Sequence, residues 1–434
     1  MKITFVSNYI NHHQIPFCEA MRKALGEEYV FIQTQVMEEE RVRLGWQQVT
    51  ELPYVKYAYE EQELCRRLVL DSDVVIWGGV EDETLLKPRL EAGKPVLRYS
   101  ERLYKTGQWK AISPRGLWKK YQDHTKYRKA PVYLLCAGAY VASDYQIIGA
   151  YPQKMFKWGY FPACKSYDVD KLMAGKIWAQ EQTQTTAPDG QAKAAAAEVA
   201  DGQGRDAAAP DGQAKAATAP DKQGENARTE LLWAARFIDW KHPELVVALA
   251  EKLAKERRDF HITMIGSGEL KDTIEASIQE KQLGEYITLA GTKTPEQVRE
   301  AMEHAPVFLM TSDRQEGWGA VMNEAMNSGC AVIADRMEGA APYLIAHGEN
   351  GFIYKRPAAE VLAELVRPLL DCKARCEQVG RNAYETIAGL WNVHEATERL
   401  LCICRDIAAG KEPQILWEQG PCSRAEIIKE RSLR

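Results

Sequence analysis

The chain has 434 residues, 45% hydrophobic and 27% charged, with a formal net charge of −5. That is enough for two or three soluble domains with real cores, and it excludes a chain drawn globally to nucleic acid. No run approaches the roughly 18 consecutive apolar residues of a membrane span, and the ten cysteines show no CxxC spacing, which fits reduced cytosolic thiols.

The N-terminus, MKITFVSNYI, turns polar too early for a signal peptide and reads as a first buried strand. Over residues 1–175, short apolar runs at Ile3–Val6, Val30–Ile32, Val74–Trp77, Val96–Tyr99 and Ala139–Ala142 alternate with amphipathic stretches such as Gln14–Leu25 and Glu61–Leu70. Such alternation predicts βαβ units and a parallel sheet. From 180 to 228 the composition collapses to Ala, Gly, Gln, Asp, Lys, Pro and Thr. APDGQAKAA occurs at Ala187–Ala195 and again at Ala209–Ala217. So little apolar area cannot offset chain entropy, so a disordered, repeat-expanded insertion is expected there.

A second βαβ array is expected over residues 229–390. Its strands are Leu231–Ala235, Ile262–Ile265, Ile287–Leu289, Val307–Met310 and Ala331–Ala334, and its helices include His242–Lys255, Pro295–Glu303 and Val321–Ser328. The tail, 391–434, reads as a helix to about Ala408, an irregular stretch and a last short helix near Arg424–Glu430, packing back on the N-terminal domain. The expected fold is therefore α/β, with two doubly wound, Rossmann-like domains facing across a cleft.

Ligands of doubly wound folds bind beyond the carboxyl ends of the strands. After Ala235 comes RFIDWKHPE, where Arg236 and Lys241 flank a turn into a helix. Two cations there would neutralise a diphosphate, or they form a solvated turn with a surface salt bridge. After Ile265 comes Gly266, Ser267, Gly268, either a close approach to ligand or an ordinary tight turn. After Met310 comes TSDRQEGWGAVMNE. Glu316 ends the loop, Gly317, Trp318 and Gly319 lead into a helix, and Glu324 lies further in. Carboxylates accept without competing donors, which suits the paired hydroxyls of a hexose and a ribose. The plainer reading is a dipole-favoured acid and a surface glutamate.

These blocks resemble family 4 of the retaining glycosyltransferases (group 1), of GT-B architecture and bacterial polysaccharide or glycolipid type. The E-x7-E motif is met by Glu316 and Glu324. ARFIDWK resembles the family's GR-x4-K, with Ala235 in place of glycine. MIGSGEL resembles its V-G-x-G block, and IADRMEGAAPYLIAHGENGFIY the stretch that follows E-x7-E. The resemblance implies that Arg236 and Lys241 bind the donor diphosphate and stabilise the leaving nucleoside diphosphate. Glu316 would hold sugar hydroxyls with the backbone of Gly317–Gly319, Glu324 the ribose, and Gly291 and Thr292 the base. No cofactor and no divalent metal is expected, since cationic side chains and helix ends do that work. The implied donor is a nucleotide sugar, a UDP-sugar first, and the implied acceptor a glycan or a lipid-linked glycan.

The N-terminal half departs from that pattern. SNYINHHQIP replaces the usual glycine-rich loop, so Asn11, His12 and His13 are acceptor-side candidates. Glu101, preceded by Ser100, stands where the family often has a histidine. It would position the acceptor hydroxyl or act as a base. Between Ser100 and Ala130 nine Lys or Arg face two acids, with Trp109, Leu117, Trp118 and Tyr121 interleaved. Residues 102–129 thus suit the anionic inner face of a cell membrane, or form a solvated cationic loop. Nucleic acid is not expected. Two other readings of the same residues are a sugar-nucleotide epimerase, which the E-x7-E helix argues against, and a silent sugar-nucleotide-binding subunit. Retention of Arg236, Lys241, Glu316 and Glu324 together argues against the latter.

Overall fold

The computed structural model describes residues 1–37, 52–179, 228–355 and 357–428. Seven strands form the first sheet: β1 (Ile3–Ser7), β2 (Tyr29–Gln33), β3 (Val55–Tyr57), β4 (Val74–Gly78), β5 (Val96–Ser100), β6 (Val132–Ala137) and β7 (Met155–Trp158). They are parallel, in the order β3-β2-β1-β4-β5-β6-β7. Six more form the second: β8 (Thr229–Ala234), β9 (Phe260–Ile265), β10 (Ile287–Gly291), β11 (Val307–Met310), β12 (Ala331–Asp335) and β13 (Phe352–Tyr354). These too are parallel, in the order β10-β9-β8-β11-β12-β13. Six of these thirteen strands, β1, β4, β6, β7, β11 and β12, are buried along their whole length, as expected of parallel strands covered on both faces.

Strand order reverses between β1 and β4 in the first sheet and between β8 and β11 in the second. Open α/β sheets leave a crevice at such a switch point, outside the carboxyl ends of the strands. The loop with Asn11, His12 and His13 follows β1. Arg236 and Lys241 follow β8, and Glu316 follows β11.

Several elements differ from the sequence expectation. Ala139–Ala142 is not a strand. The strand is the preceding run, Val132–Ala137, and Gly138, at φ 124°, breaks it so that 141–147 can begin a helix. Three short edge or near-edge strands, β3, β7 and β13, carry too little periodicity to stand out. The expected helix near Arg424–Glu430 is absent over its described part: Arg424 instead bridges antiparallel to Phe156 of β7, with Lys157 N donating to Ser423 O at 2.7 Å. Residues beyond 428, and the low-complexity segment 180–227, lie outside the described residues. The chain on either side of that segment is drawn together, Ala179 N donating to Thr229 Oγ1 at 3.0 Å and Glu230 N to Ile177 O at 3.2 Å.

The helix Val393–Ala408 returns to the first domain. Asn392 caps it by accepting from Glu395 N at 3.0 Å. Its apolar face, Leu400, Ile403, Cys404 and Ile407, joins Phe17, Cys18 and Met21 of the helix Ile15–Leu25 in one core. That core continues into the second domain through Trp318, Met322 and Trp391, so the two sheets are tied by shared apolar burial.

Candidate active site

The loops after β8 and β11 are fastened to each other. The Thr311 hydroxyl accepts from the Trp233 indole at 2.8 Å and donates to the Lys241 carbonyl, and Asp313 N donates to Trp240 O at 2.9 Å. This lashing sets Lys241 beside Glu316, and their side chains form an ion pair with 12% and 20% exposure. Burial opposes ionisation of Glu316. Lys241, with Lys105 and Arg236 further off, nevertheless holds its carboxyl below the usual range. Arg236 is exposed and lies over the Trp240 ring, 5.6 Å from its centroid.

Next to this pair, His242 opens the helix Pro243–Ala254 in the left-handed conformation, φ 50°. Its Nδ1 is 2.8 Å from Glu244 and its Nε2 3.6 Å from Asp313. Those partners, Asp313 first, push its pKa up to about 10, so it is a cation at neutral pH. Glu324 sits in the helix Ala320–Asn327. Burial raises its carboxyl while Arg299 pulls it down. Arg299 donates to the Glu324 carbonyl at 3.0 Å and to Ala163 O at 3.2 Å, tying this helix to the crossover between the domains.

Gly266 and Gly268 serve the chain's own backbone. A Cβ on Gly266 would strike Ala235 O, and one on Gly268 would stand 2.5 Å from Phe237 O. Phe237 N donates to Ser267 O at 3.0 Å, closing the loops after β8 and β9 together. Gly291 has open space where a Cβ would be, and Thr292 is exposed.

The first domain supplies the opposite wall. Glu101 follows β5 and reaches across the cleft, where its carboxylate fills the space a Gly317 Cβ would need. Tyr160 donates to Glu101 Oε1 at 2.8 Å, and Lys105 pairs with Oε2. Glu101 of the first domain thus meets the backbone of Gly317, the residue after Glu316, in the second. The His12 and His13 rings lie against each other, tilted by 49° with centroids 3.8 Å apart, and the His13 ring centroid lies 6.2 Å from that of Tyr160. Burial first, and then His12, push the His13 pKa down to about 3, and burial lowers that of His12, so neither is a cation at neutral pH. Asn11 is occupied locally: its Oδ1 accepts from His13 N at 3.0 Å, and its Nδ2 donates to Gln14 at 3.0 Å. Ser100 is turned away from the cleft, donating to Glu101 O at 2.7 Å and accepting from Tyr145 at 2.9 Å.

The domains meet at main chain. Ala139 N donates to Gly339 O at 2.9 Å, Tyr140 donates to Arg336 O at 2.6 Å, and a Cβ on Gly138 would stand 2.6 Å from Gly317 O. Trp318 is fully buried. Its indole donates to Asn323 at 2.8 Å, packs 5.7 Å from Trp391, and lies flat enough on Gly159 that a Cβ there would overlap it. The Trp318 side chain is therefore an interdomain anchor, and only its backbone faces the site with Gly317 and Gly319.

With this geometry in view, comparison with known proteins is decisive for the second domain. Residues 217–386 match the family model described as glycosyl transferases group 1. This match covers about two fifths of the chain, on the side of the second domain. The amylovoran biosynthesis glycosyltransferase of Erwinia amylovora is 26% identical over 41% of this chain and 45% of its own length. The poly(ribitol-phosphate) alpha-N-acetylglucosaminyltransferase of Staphylococcus aureus is 24% identical over 38% of this chain and 33% of its own. The match thus spans less than half of these curated relatives. Anabaena HepE, solved with UDP and glucose, shares the fold at TM-score 0.57 and 13% identity, over 92% of this chain and 98% of its own. The lipopolysaccharide outer core galactosyltransferase WaaB shares it at 0.54 and 15%, over 90% and 98%. The architecture is that of the GT-B glycosyltransferases.

Three residues close to Glu101 or Glu316 escaped sequence reasoning: Lys105, Tyr160 and Glu338. Lys105 was hidden in a basic run, Tyr160 follows a strand too short to notice, and Glu338 lies inside the IADRMEGAAP block, which gave it no role. Arg102 moves the other way. Counted with the basic run, it is buried against Asp144 at 3.2 Å, with its guanidinium 5.0 Å from the Tyr140 ring centroid, and cannot face a membrane.

Proposed function

We propose that the chain is a retaining hexosyltransferase that takes its sugar from a nucleoside-diphosphate donor, a UDP-sugar first, and builds a cell-surface glycan. The observation that carries this is the Lys241–Glu316 pair at the switch point of the second sheet, met across the cleft by Glu101. Arg236, Lys241 and the nearby Lys105 supply positive charge where a leaving diphosphate would develop its own, so transfer is expected without a divalent metal. Glu316 would accept from hexose hydroxyls and Glu324 from the ribose. In a retaining transfer on one face, the acceptor oxygen bonds to the anomeric carbon as the bond to the diphosphate oxygen breaks. The acceptor proton passes to that oxygen. Glu101, held by Tyr160 and Lys105, would orient the acceptor hydroxyl.

A lipid-carried acceptor fits the helix Pro114–Asp123, which buries none of its residues. Ile112, Leu117, Trp118 and Tyr121 stand exposed there, with Trp118 and Tyr121 stacked at 5.8 Å. Lys119, Lys120, Lys126, Arg128 and Lys129 belong to the same segment; the side chains of Trp109 and Lys110 lie outside the described residues. Apolar rings among cations are what an anionic lipid surface attracts. Among the described residues no helix is long and apolar enough to cross a membrane, and peripheral attachment is the proposal.

A thermal-unfolding screen of UDP- and GDP-sugars tests the reading. A preferred donor raises the midpoint by mass action, and that donor then supports transfer in EDTA. No shift with any nucleotide sugar would reject it. Co-sedimentation with anionic vesicles is expected to be lost on charge reversal of the five cations, and unchanged binding would reject the membrane assignment.

A further inference from the structure

Glu338 lies in the turn after β12, with no exposed surface. Its Oε2 accepts from Ala340 N at 3.1 Å and Ala341 N at 2.8 Å. Its Oε1 has no hydrogen-bond partner among the described residues. That oxygen is aimed at the Glu316 loop: the point where a Gly319 Cβ would stand is 2.5 Å from Glu338 Oε1 and 3.3 Å from Glu316 Cγ. Met310 Cε, 2.6 Å from the same point, closes it off with an apolar group. An unsatisfied carboxyl oxygen so deep is costly, and a charged one more so. The titratable groups that face Glu338 are Glu316 from the loop after β11, Lys241 from the loop after β8 and Tyr354 from β13. Burial, and then the Glu316 carboxylate, push its pKa well above the ordinary value, and the two backbone amides do not offset this. Deep burial of an oxygen without a hydrogen-bond partner favours the protonated form, which has one O–H to give.

We propose that Glu338 is a positioning residue for sugar transfer, its Oε1–H donating to the Glu316 carboxylate when a donor diphosphate draws Lys241 away. In the structure Lys241 is the partner of Glu316. A diphosphate competes for that ammonium. Glu316, left buried with only the more distant Lys105 and Arg236, would then tend to take up a proton and stop being a pure acceptor for sugar hydroxyls. A neutral donor already in place keeps it ionised and oriented. This inference rests on the glycosyltransferase reading and deepens it.

The test compares UDP with the UDP-sugar that gives the largest thermal shift, titrated calorimetrically from pH 6 to 10 against the wild type, Glu338→Gln and Glu338→Leu. The wild type is expected to lose its preference for the UDP-sugar over UDP on the alkaline side, as Glu338 ionises. Glu338→Gln keeps an N–H to donate and cannot ionise, so its preference at pH 7 stays within about threefold and the alkaline loss disappears. Glu338→Leu loses about tenfold or more of the preference at pH 7, the scale of a hydrogen bond to a charged group, while UDP itself binds nearly as before. Superimposable pH profiles for wild type and Glu338→Gln would overturn the inference, as would a full preference in Glu338→Leu. If the leucine variant does not fold, the glutamine profile decides alone. If no nucleotide binds the wild type, the underlying reading fails instead.

Discussion

Lys241→Met removes the cation from a pair whose carboxylate is four-fifths buried. Stranding a buried charge costs about 3–5 kcal/mol, and the residual exposure of both side chains places this case near the lower end, about 3 kcal/mol. The cost depends on pH in a defined direction. In the wild type, Glu316 titrates below its unfolded value. Its contribution to stability is present above the unfolded pKa of about 4.3 and is lost as pH falls through the folded value. Without Lys241, burial dominates, offset only in part by the more distant cations and a Glu338 hydrogen bond, and the folded pKa rises above the unfolded one. The native state then binds the proton more tightly, and stability falls as pH rises between the two values. Urea unfolding at pH 5, 6, 7 and 8 is therefore expected to show a gap between wild type and variant that widens with pH. Transfer by the same variant should fall roughly 10²–10³-fold, the scale of one lost contact to developing charge. A gap that is constant, or larger at pH 5, would refute the assignment of Lys241 as the group that keeps Glu316 ionised.

Other perturbations test separate parts of the site. Gly159→Ala would drive a methyl into the Trp318 ring, itself wedged against Trp391. Overpacking of this kind costs about 1–3 kcal/mol, visible as a lower thermal midpoint; no change would mean the ring can move aside. Glu101→Gln is expected to lower kcat by about 10² with the donor KM little changed, whereas an equal loss of donor binding would move Glu101 to the donor side. Replacing 180–227 by a short linker should leave transfer within about twofold. The flanking backbone at Ala179 and Thr229 is already hydrogen-bonded, and each halving of a loop changes closure entropy by only about 0.6 kcal/mol. Collapse of activity would show that the segment does more than connect.

Both parallel sheets were legible because their strands are buried on two faces and read as continuous apolar runs. Val307–Met310 and Ala331–Asp335 are clear cases. Ala139–Ala142 misled for the same reason: an apolar run does not say whether it is strand or helix, and Gly138 decided it. The second-domain side of the cleft was legible because its residues cluster after predicted strands. The first-domain side was not. Ser100 looked suited to an acceptor, yet Tyr145 holds its hydroxyl. Tyr160 and Glu338 gain meaning only from distant neighbours, Glu101 and Glu316 respectively, which no local spacing records.

The insertion of Trp318 against Gly159 has a consequence for measured affinities. The loop that carries Glu316 is also the piece of the second domain that the first domain clasps. Separation of the domains therefore withdraws support from that loop, and a nucleotide sugar held by it would in turn favour the clasped arrangement. Apparent affinity is then the intrinsic affinity scaled by the fraction of molecules that are closed. A substitution at Gly159, which touches no ligand, should weaken nucleotide-sugar binding by the factor through which it depopulates the closed form.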